Sequence, residues 1–146
     1  ASTGGTDTAM DRALTRVEMR DLLASSDVFV LPTRGEGWGL PIAEAMSMAL
    51  PTIVTNATGP TAYANDDNAY LIDASGPSDE LGYAQPKAES LISLFAQVQE
   101  DLLSGKAAMK GKEARKTMQR LSPESVVGMM VKRVRDHAWR RGWVTV

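Results

Sequence analysis

The sequence lacks cysteine altogether and contains a single histidine, His137. The absence of cysteine excludes disulfides and thiolate metal sites, and it is compatible with a reducing compartment. One histidine is too few for a metal cluster built on imidazole ligands. No apolar run approaches the roughly 20 residues that a membrane-spanning helix needs, and the first residues show no signal peptide. We therefore expect a soluble, cytoplasmic protein.

Basic residues are scarce in the first half of the chain and acidic residues in the second, although the formal net charge is only −2. Residues 1–85 contain 4 basic and 12 acidic side chains, whereas residues 86–146 contain 12 basic and 6 acidic side chains. The basic half has helical periodicity, so we expect it to present a positive surface to a partner. With 146 residues, 43% of them hydrophobic, the chain is long enough for one domain with a core.

One continuous stretch of the acidic half is organised as strand, turn, helix and strand. A β-branched run predicts a buried strand over Val28–Pro32, and a second run predicts another over Thr52–Thr55. Between them, Gly35, Gly37 and Gly39 predict a turn that leads directly into a helix. This order is typical of a βαβ unit with parallel strands, in which ligands bind beyond the carboxyl ends of the strands.

The helix after this turn combines an anion-binding end with two acidic residues. Pro41 suits the first position of a helix, where free backbone N–H groups and the positive end of the dipole attract an anion such as phosphate. Glu36 lies in the turn, and Glu44 lies about one turn into the helix, away from the expected core face. That core face consists of Ile42, Ala45, Met46 and Ala49. Because carboxylates accept hydrogen bonds from sugar hydroxyls, the pattern indicates a ligand with both phosphate and sugar.

The string EGWGLPIAEAM resembles the E-x7-E motif of the retaining glycosyltransferases of family 4, which have the two-domain GT-B architecture. The resemblance continues through LPTIVTNATGPTAY and NAYLI and, more weakly, through LSPESV, so it extends from about Met19 to Val131. It implies an α/β fold, with a Rossmann-like parallel sheet and flanking helices, like the later part of a GT-B C-terminal domain. It also implies retaining, metal-independent transfer of a sugar from a nucleotide-diphosphate donor.

The resemblance further implies roles for individual residues. Glu36 corresponds to the catalytic glutamate that contacts hydroxyls of the donor sugar near the reacting carbon, and Glu44 to the glutamate that holds the nucleotide ribose. The residues between them correspond to positions that face the sugar and the diphosphate: Gly37, Trp38, Gly39 and Leu40. The resemblance implies no cofactor and no metal. One residue departs from the family pattern, because Ala49 stands where glycine usually ends the helix in a left-handed conformation.

The two glutamates also have ordinary structural interpretations. A glutamate in the first turn of a helix is stabilising through the helix dipole alone, by about 0.3–1 kcal/mol, and Glu36 by itself is simply a turn residue. The G-x-G-x-G spacing differs from the dinucleotide fingerprint G-x-G-x-x-G. The pair in this setting nevertheless favours the sugar-nucleotide interpretation, with the resemblance as its main support.

The resemblance implies partners as well. In the family, an N-terminal Rossmann domain provides the acceptor side of the cleft, and basic residues that clamp the diphosphate lie upstream of the stretch matched here. We therefore expect a nucleotide sugar and a glycan, lipid or protein acceptor as substrates, no nucleic acid as partner, and no activity from the isolated chain. The alternatives are a nucleotide-sugar-binding half-domain without catalysis, or an interaction module.

The segments before and after this unit complete the predicted sheet. Residues 1–10 are small and polar, and we expect a disordered leader or the start of a fragment there, followed by a partial GT-B C-terminal domain over residues 11–146. Thr15 and Glu18 form a T-x-x-E capping box, and the helix that it starts ends near residue 25. The apolar positions of that helix are Val17, Met19, Leu22 and Leu23. A third strand is predicted over Ala69–Ile72.

Two loops have more than one interpretation, and a third segment has none with a function. Residues 58–61 (Thr-Gly-Pro-Thr) either line the pocket or form an ordinary turn between strand and helix. Residues 66–68 (Asp-Asp-Asn) are either a turn or a metal site, and the absence of D-x-D spacing favours the turn. Residues 73–85 are irregular and show no clear chemistry.

Three helices are predicted in the basic half, over Pro86–Leu103, over Lys106–Leu121, and from the Ser122-Pro123 cap onward. The first presents Leu91, Leu94, Phe95 and Val98 on one face, and the expected core face of the last is Val127, Met130, Val131 and Val134. In the last helix, basic side chains surround two tryptophans: Lys132, Arg133, Arg135, Arg140 and Arg141, with Trp139 and Trp143. Such a helix can lie on an anionic membrane or bind nucleic acid, whereas the resemblance favours packing against the other Rossmann domain. Peripheral membrane contact stays open.

Overall fold

A three-stranded parallel sheet lies at the centre of the fold. Its strands are β1 (Phe29–Leu31), β2 (Thr52–Thr55) and β3 (Tyr70–Ile72), in the spatial order β1-β2-β3. The register aligns Val30 with Ile53 and Ile53 with Tyr70. The structure is a computed structural model that describes residues 13–75 and 83–141. The predicted leader, most of the predicted irregular loop and Trp143 lie outside these residues.

Helices surround the sheet, and a small antiparallel strand pair follows it. The helices are α1 (Arg16–Ala24), α2 (Leu40–Ser47), α3 (Ala88–Ser104), α4 (Lys106–Arg120) and α5 (Pro123–Arg140). The strand pair is β4 (Ala74–Ser75) with β5 (Gln85–Pro86), and a short 3-10 helix covers Gly59–Ala62. The strand pair gives order to both ends of the segment that the sequence predicts to be irregular.

The two faces of the sheet carry separate apolar clusters, because neighbouring side chains of a strand point to opposite faces. Val54 packs with Ile42 and Met46 of α2 and with Met118 of α4. Ile53 packs on the other face, where the cluster consists of Ile53, Tyr70, Ile72 and Val98. Helices therefore cover both faces, as the sequence predicts. Phe95 does not join the second cluster and is 49% exposed, unlike the rest of its predicted face.

Two helix starts agree with the predicted caps. The Thr15 hydroxyl accepts a hydrogen bond from the Glu18 N–H at 3.3 Å, and the Glu18 carboxylate accepts one from the Thr15 N–H at 2.8 Å. The Ser122 hydroxyl accepts from the Ser125 N–H at 3.2 Å at the start of α5. Each cap satisfies backbone donors that a helix leaves free at its start, which is why local sequence identifies it.

The apolar face predicted for α5 is exposed in the described part of the chain, and its packing against the other Rossmann domain stays a prediction. The exposed fractions are 56% for Val127, 62% for Met130, 58% for Val131 and 69% for Val134. None of the described residues of α5 is buried, and the helix contacts the described chain mainly through α4. Helical periodicity predicts which face is apolar, but it contains no information on whether another element covers that face.

Ala49 has the left-handed backbone conformation expected at its position, where the family usually has glycine. Its φ is +61°, and it lies two residues past the end of α2. The approach of α4 is so close here that a Cβ on Gly111 would lie 2.0 Å from the Ala49 carbonyl oxygen. An L-residue in this conformation is strained by about 1–2 kcal/mol, because its Cβ crowds the following carbonyl.

We expect Ala49→Gly to stabilise the chain by about 0.5–1 kcal/mol, because relief of this strain exceeds the added entropy of the unfolded chain. Urea denaturation measures the change. Ala96→Gly is the matched control, since Ala96 lies exposed within α3. That substitution should destabilise the chain by about 1 kcal/mol through helix propensity. Destabilisation by both substitutions would contradict the strain at Ala49.

Candidate functional site

The glycine turn lies at the carboxyl end of β1 and leads into α2. Gly39 is the residue immediately before the helix and has a φ of +82°. A Cβ at this position would lie 2.8 Å from Cδ1 of Ile42 and 3.1 Å from the Tyr63 hydroxyl. Both the backbone conformation and the close packing therefore require glycine. Pro41 is the second residue of α2, one position later than predicted, and still within the first turn.

Unpaired backbone donors line this turn. Within residues 13–75 and 83–141, the N–H groups of Gly37, Trp38, Gly39 and Leu40 donate to no acceptor. The first N–H groups of a helix have no intrahelical partner, and the positive end of the helix dipole lies beside them. Gly37 and Leu40 are exposed, whereas Gly39 is buried. A backbone N–H without an acceptor is a position where a ligand oxygen would complete a hydrogen bond.

A second loop, residues 58–63, lies against the turn. The Glu36 N–H donates to the Thr58 hydroxyl at 3.0 Å, and the Gly59 N–H donates to the Glu36 carbonyl at 3.0 Å. The Tyr63 hydroxyl donates to the Trp38 carbonyl at 2.7 Å. This loop includes residues 58–61, for which the sequence allowed two interpretations, and it supports the glycine turn directly. Sequence reasoning missed Tyr63, although a hydroxyl-bearing aromatic eight residues after the next strand was a signal in a chain with few aromatics.

The side chains of the turn differ in their surroundings. Glu36 is half-buried beside Tyr63, while Trp38 is 42% exposed and its ring centroid lies 4.8 Å from that of Tyr63. Burial, together with the nearby Glu36 carboxylate, raises the pKa of Tyr63 to about 12. Tyr63 is therefore a neutral hydrogen-bond donor at physiological pH.

Glu44 borders a cavity of about 630 Å³ between α1 and α2. It is the fifth residue of α2 and is exposed, so it lies beyond the first turn, where the helix dipole is felt most. The opposite wall includes Arg16 and Arg20 of α1 and Thr15, which caps that helix. Arg20 pairs with Asp21 at 2.6 Å. Glu36 lies outside this cavity, in the turn that precedes α2. The two predicted site acids thus occupy the same turn-helix unit but face different surroundings.

The Asp-Asp-Asn sequence at residues 66–68 forms a turn, as favoured above. The Asn68 side-chain oxygen accepts from the Asn65 N–H at 2.8 Å, and its amide donates to the Tyr63 carbonyl at 2.9 Å. The Lys110 ammonium donates to the Asp66 and Ala69 carbonyls. Across the two described ranges, no three His, Cys, Asp or Glu side chains converge as a metal site would need.

A buried acid, Asp101, lies away from this edge of the sheet. It is 7% exposed and accepts a hydrogen bond from the Tyr70 hydroxyl at 3.0 Å. Burial and this hydrogen bond raise the pKa of Tyr70. Tyr70 is the first residue of β3, so the pair lies at the opposite end of the strand from the turn. It connects β3 to α3 and is structural.

The described chain is a Rossmann-like α/β domain, and its glycine turn, with unpaired N–H groups, lies at the carboxyl edge of the sheet. The family described as "Glycosyl transferases group 1" matches residues 10–85, which is more than half of the chain. The chain therefore belongs to the glycosyltransferase group 1 family, as the sequence motif indicated.

Two individual proteins illustrate the similarity. The UDP-Gal:alpha-D-GlcNAc-diphosphoundecaprenol alpha-1,3-galactosyltransferase of Escherichia coli is 42% identical over 59 residues. The match covers 40% of this chain and spans only 15% of that enzyme's length. Sucrose-phosphate synthase from Thermosynechococcus elongatus superposes with a TM-score of 0.58 at 20% identity, over 82% of this chain and 27% of that structure. The structural match shows the fold, which corresponds to part of a GT-B glycosyltransferase. None of the described helices is long and apolar enough to cross a membrane.

Proposed function

We propose that this chain forms part of the donor-binding domain of a longer retaining glycosyltransferase. In this proposal the substrate is a nucleotide-diphosphate sugar, the sugar is transferred to an acceptor, and no metal is required. The single observation that carries the proposal is the turn at the start of α2, where unpaired N–H groups lie between two acidic residues. The N–H groups suit a diphosphate, and the carboxylates suit the hydroxyls on either side of it.

The diphosphate would bind at the N-terminus of α2. The N–H groups of Gly37, Trp38, Gly39 and Leu40 are free within the described residues, and the dipole of α2 adds positive potential. Donors that are already in place when charge develops stabilise a departing diphosphate without a reorganisation cost. This is the chemistry that would let the site act without a metal ion.

Glu44 would hold the ribose in the cavity between α1 and α2. A carboxylate has two oxygens, which can accept hydrogen bonds from both ribose hydroxyls. The cavity volume of about 630 Å³ lies within the range of small-ligand sites, roughly 300–1,000 Å³. The exposed position of Glu44 beyond the first turn of α2 supports this role over a purely helix-stabilising one.

Glu36 would contact the donor sugar near the reacting carbon. Its backbone is held by Thr58 and Gly59, so its side chain starts from a fixed point beside the free N–H groups. A carboxylate at this position would favour the positive charge that develops on the sugar as the diphosphate leaves. The acceptor would lie on a second Rossmann domain, so we expect no transfer from this chain alone.

The similarity to the Escherichia coli galactosyltransferase makes UDP-galactose the first donor to test, and a lipid-linked sugar the first acceptor. Calorimetric titration of the full-length protein with UDP-galactose, other nucleotide sugars and free UDP would establish the donor. A protein that binds a nucleotide sugar but transfers no sugar to any acceptor would instead be a binding module.

We expect Glu44→Ala to weaken UDP binding about tenfold or more, because a hydrogen bond to a charged group contributes about 1.5–3 kcal/mol. The fold should stay intact, since the side chain is exposed. Calorimetry measures the affinity, and Glu100→Ala is the control because Glu100 is an exposed glutamate on α3. Unchanged UDP affinity in Glu44→Ala would contradict the ribose role.

A further inference from the structure

Thr58 has a backbone conformation that side-chain-bearing residues rarely adopt. Its φ is +58° and its ψ is −146°, close to a region of conformational space that is nearly exclusive to glycine. A strained residue persists only where its surroundings hold it, and such residues cluster at functional sites. The Thr58 carbonyl accepts hydrogen bonds from the Thr61 hydroxyl at 2.7 Å and from the Thr61 N–H at 3.2 Å.

This conformation brings the loop into contact with the glycine turn on both sides of Glu36. The Thr58 hydroxyl accepts from the Glu36 N–H, and the next residue, Gly59, donates to the Glu36 carbonyl. The two backbones are so close that a Cβ on Gly59 would lie 1.9 Å from the Gly37 carbonyl oxygen. Tyr63, which is 4% exposed, reaches the same turn and donates to the Trp38 carbonyl.

These hydrogen bonds determine the direction of the free N–H groups. In a trans peptide the C=O and the N–H of one unit point in opposite directions, and the described chain contains no cis peptide. The Glu36 carbonyl belongs to the same peptide unit as the Gly37 N–H, and the Trp38 carbonyl to the same unit as the Gly39 N–H. Because Gly59 and Tyr63 hold the two carbonyls, the N–H groups of Gly37 and Gly39 point away from the supporting loop.

We propose that Thr58 and Tyr63 are positioning residues that hold the glycine turn with its N–H groups aimed at the diphosphate of the donor. The proposal rests on the function proposed above. Neither side chain touches the ligand in this arrangement; both act through the backbone of the turn. The hydroxyl groups provide the two side-chain contacts, so loss of either hydroxyl lets the turn sample orientations in which its donors no longer converge.

The test compares two ligands that share the nucleoside and differ in the diphosphate, UDP and uridine. Affinities of the full-length protein for both are measured by calorimetry, directly or by competition. Tyr63→Phe and Thr58→Val should each lower UDP affinity about fivefold to tenfold, the loss expected for one hydrogen bond, and leave uridine affinity unchanged. Thr58→Ser keeps the hydroxyl and should restore most of the UDP affinity.

Tyr70→Phe is the matched control for Tyr63→Phe. It also removes the hydroxyl of a buried tyrosine, but one bonded to Asp101 at the other end of the sheet. It should lower the thermal unfolding midpoint without changing the ratio of UDP to uridine affinity. A purely structural role for Tyr63 predicts the same behaviour as Tyr70, and that outcome would overturn the proposal.

The outcomes separate this proposal from the proposed function. A wild-type protein that binds neither UDP nor a nucleotide sugar refutes both. If the wild type binds UDP and Glu44→Ala weakens that binding, the proposed function stands. In that case, equal losses of UDP and uridine affinity in Tyr63→Phe and Thr58→Val, or no loss of either, would refute the positioning role alone.

Discussion

Glu36→Gln is expected to lower the kcat of the full-length enzyme about 100-fold while UDP affinity changes less than about threefold. Glutamine keeps the shape of the side chain and leaves the backbone contacts to Thr58 and Gly59 in place. It removes the negative charge, which in the proposed role of Glu36 is most favourable when the donor sugar becomes positive in the transition state. An interaction made mainly in the transition state changes kcat rather than ground-state binding.

Steady-state kinetics and calorimetry on the same preparations test this division, with Glu100→Gln as the control. A spectroscopic titration of the tyrosines adds a readout that does not depend on activity. Burial and the nearby Glu36 carboxylate together raise the pKa of Tyr63 to about 12. Glu36→Gln should therefore lower the pKa of Tyr63, while burial keeps it above 10. Equal losses of kcat and UDP affinity would contradict the separate roles of Glu36 and Glu44.

Gly111→Ala is expected to destabilise the chain by about 3 kcal/mol, because the added Cβ would overlap the backbone just past the end of α2. The atom would lie 2.0 Å from the Ala49 carbonyl oxygen. No side-chain rotation relieves a contact between a Cβ and a backbone atom, so α4 must move away from the end of α2. The usual gain of about 1 kcal/mol for replacing a helical glycine by alanine is too small to offset this.

Gly128→Ala is the matched control, since Gly128 lies within α5 and its added Cβ would meet no atom within 4 Å. That substitution should stabilise the chain by up to about 1 kcal/mol. Urea denaturation compares the two variants. Changes of opposite sign in the free energy of unfolding would support the close approach of α4 to α2. Equal stabilisation by both substitutions would contradict it.

Predictions from the sequence were most successful where the determining interactions are local. The strand Thr52–Thr55, the Thr15–Glu18 capping box and the Ser122 cap all occur as predicted. The third strand begins at Tyr70 and not at Ala69, and the first is three residues long because its predicted ends, Val28 and Pro32, lie outside the ladder. The roles of the individual site residues stay predictions.

The sequence by itself determined the class of fold, the family and the position of the glycine turn, because β-branched runs, helical periodicity and E-x7-E spacing are properties of neighbouring residues. Only the tertiary structure decided what holds the turn. Thr58 and Tyr63 reach it from a loop 20 or more residues later in the chain, after the parallel strand β2 has returned to the same edge of the sheet. The exposure of α5 also depends on the tertiary structure. The spacing of neighbouring residues determines which face of the helix is apolar, whereas the surface that covers this face belongs to another element.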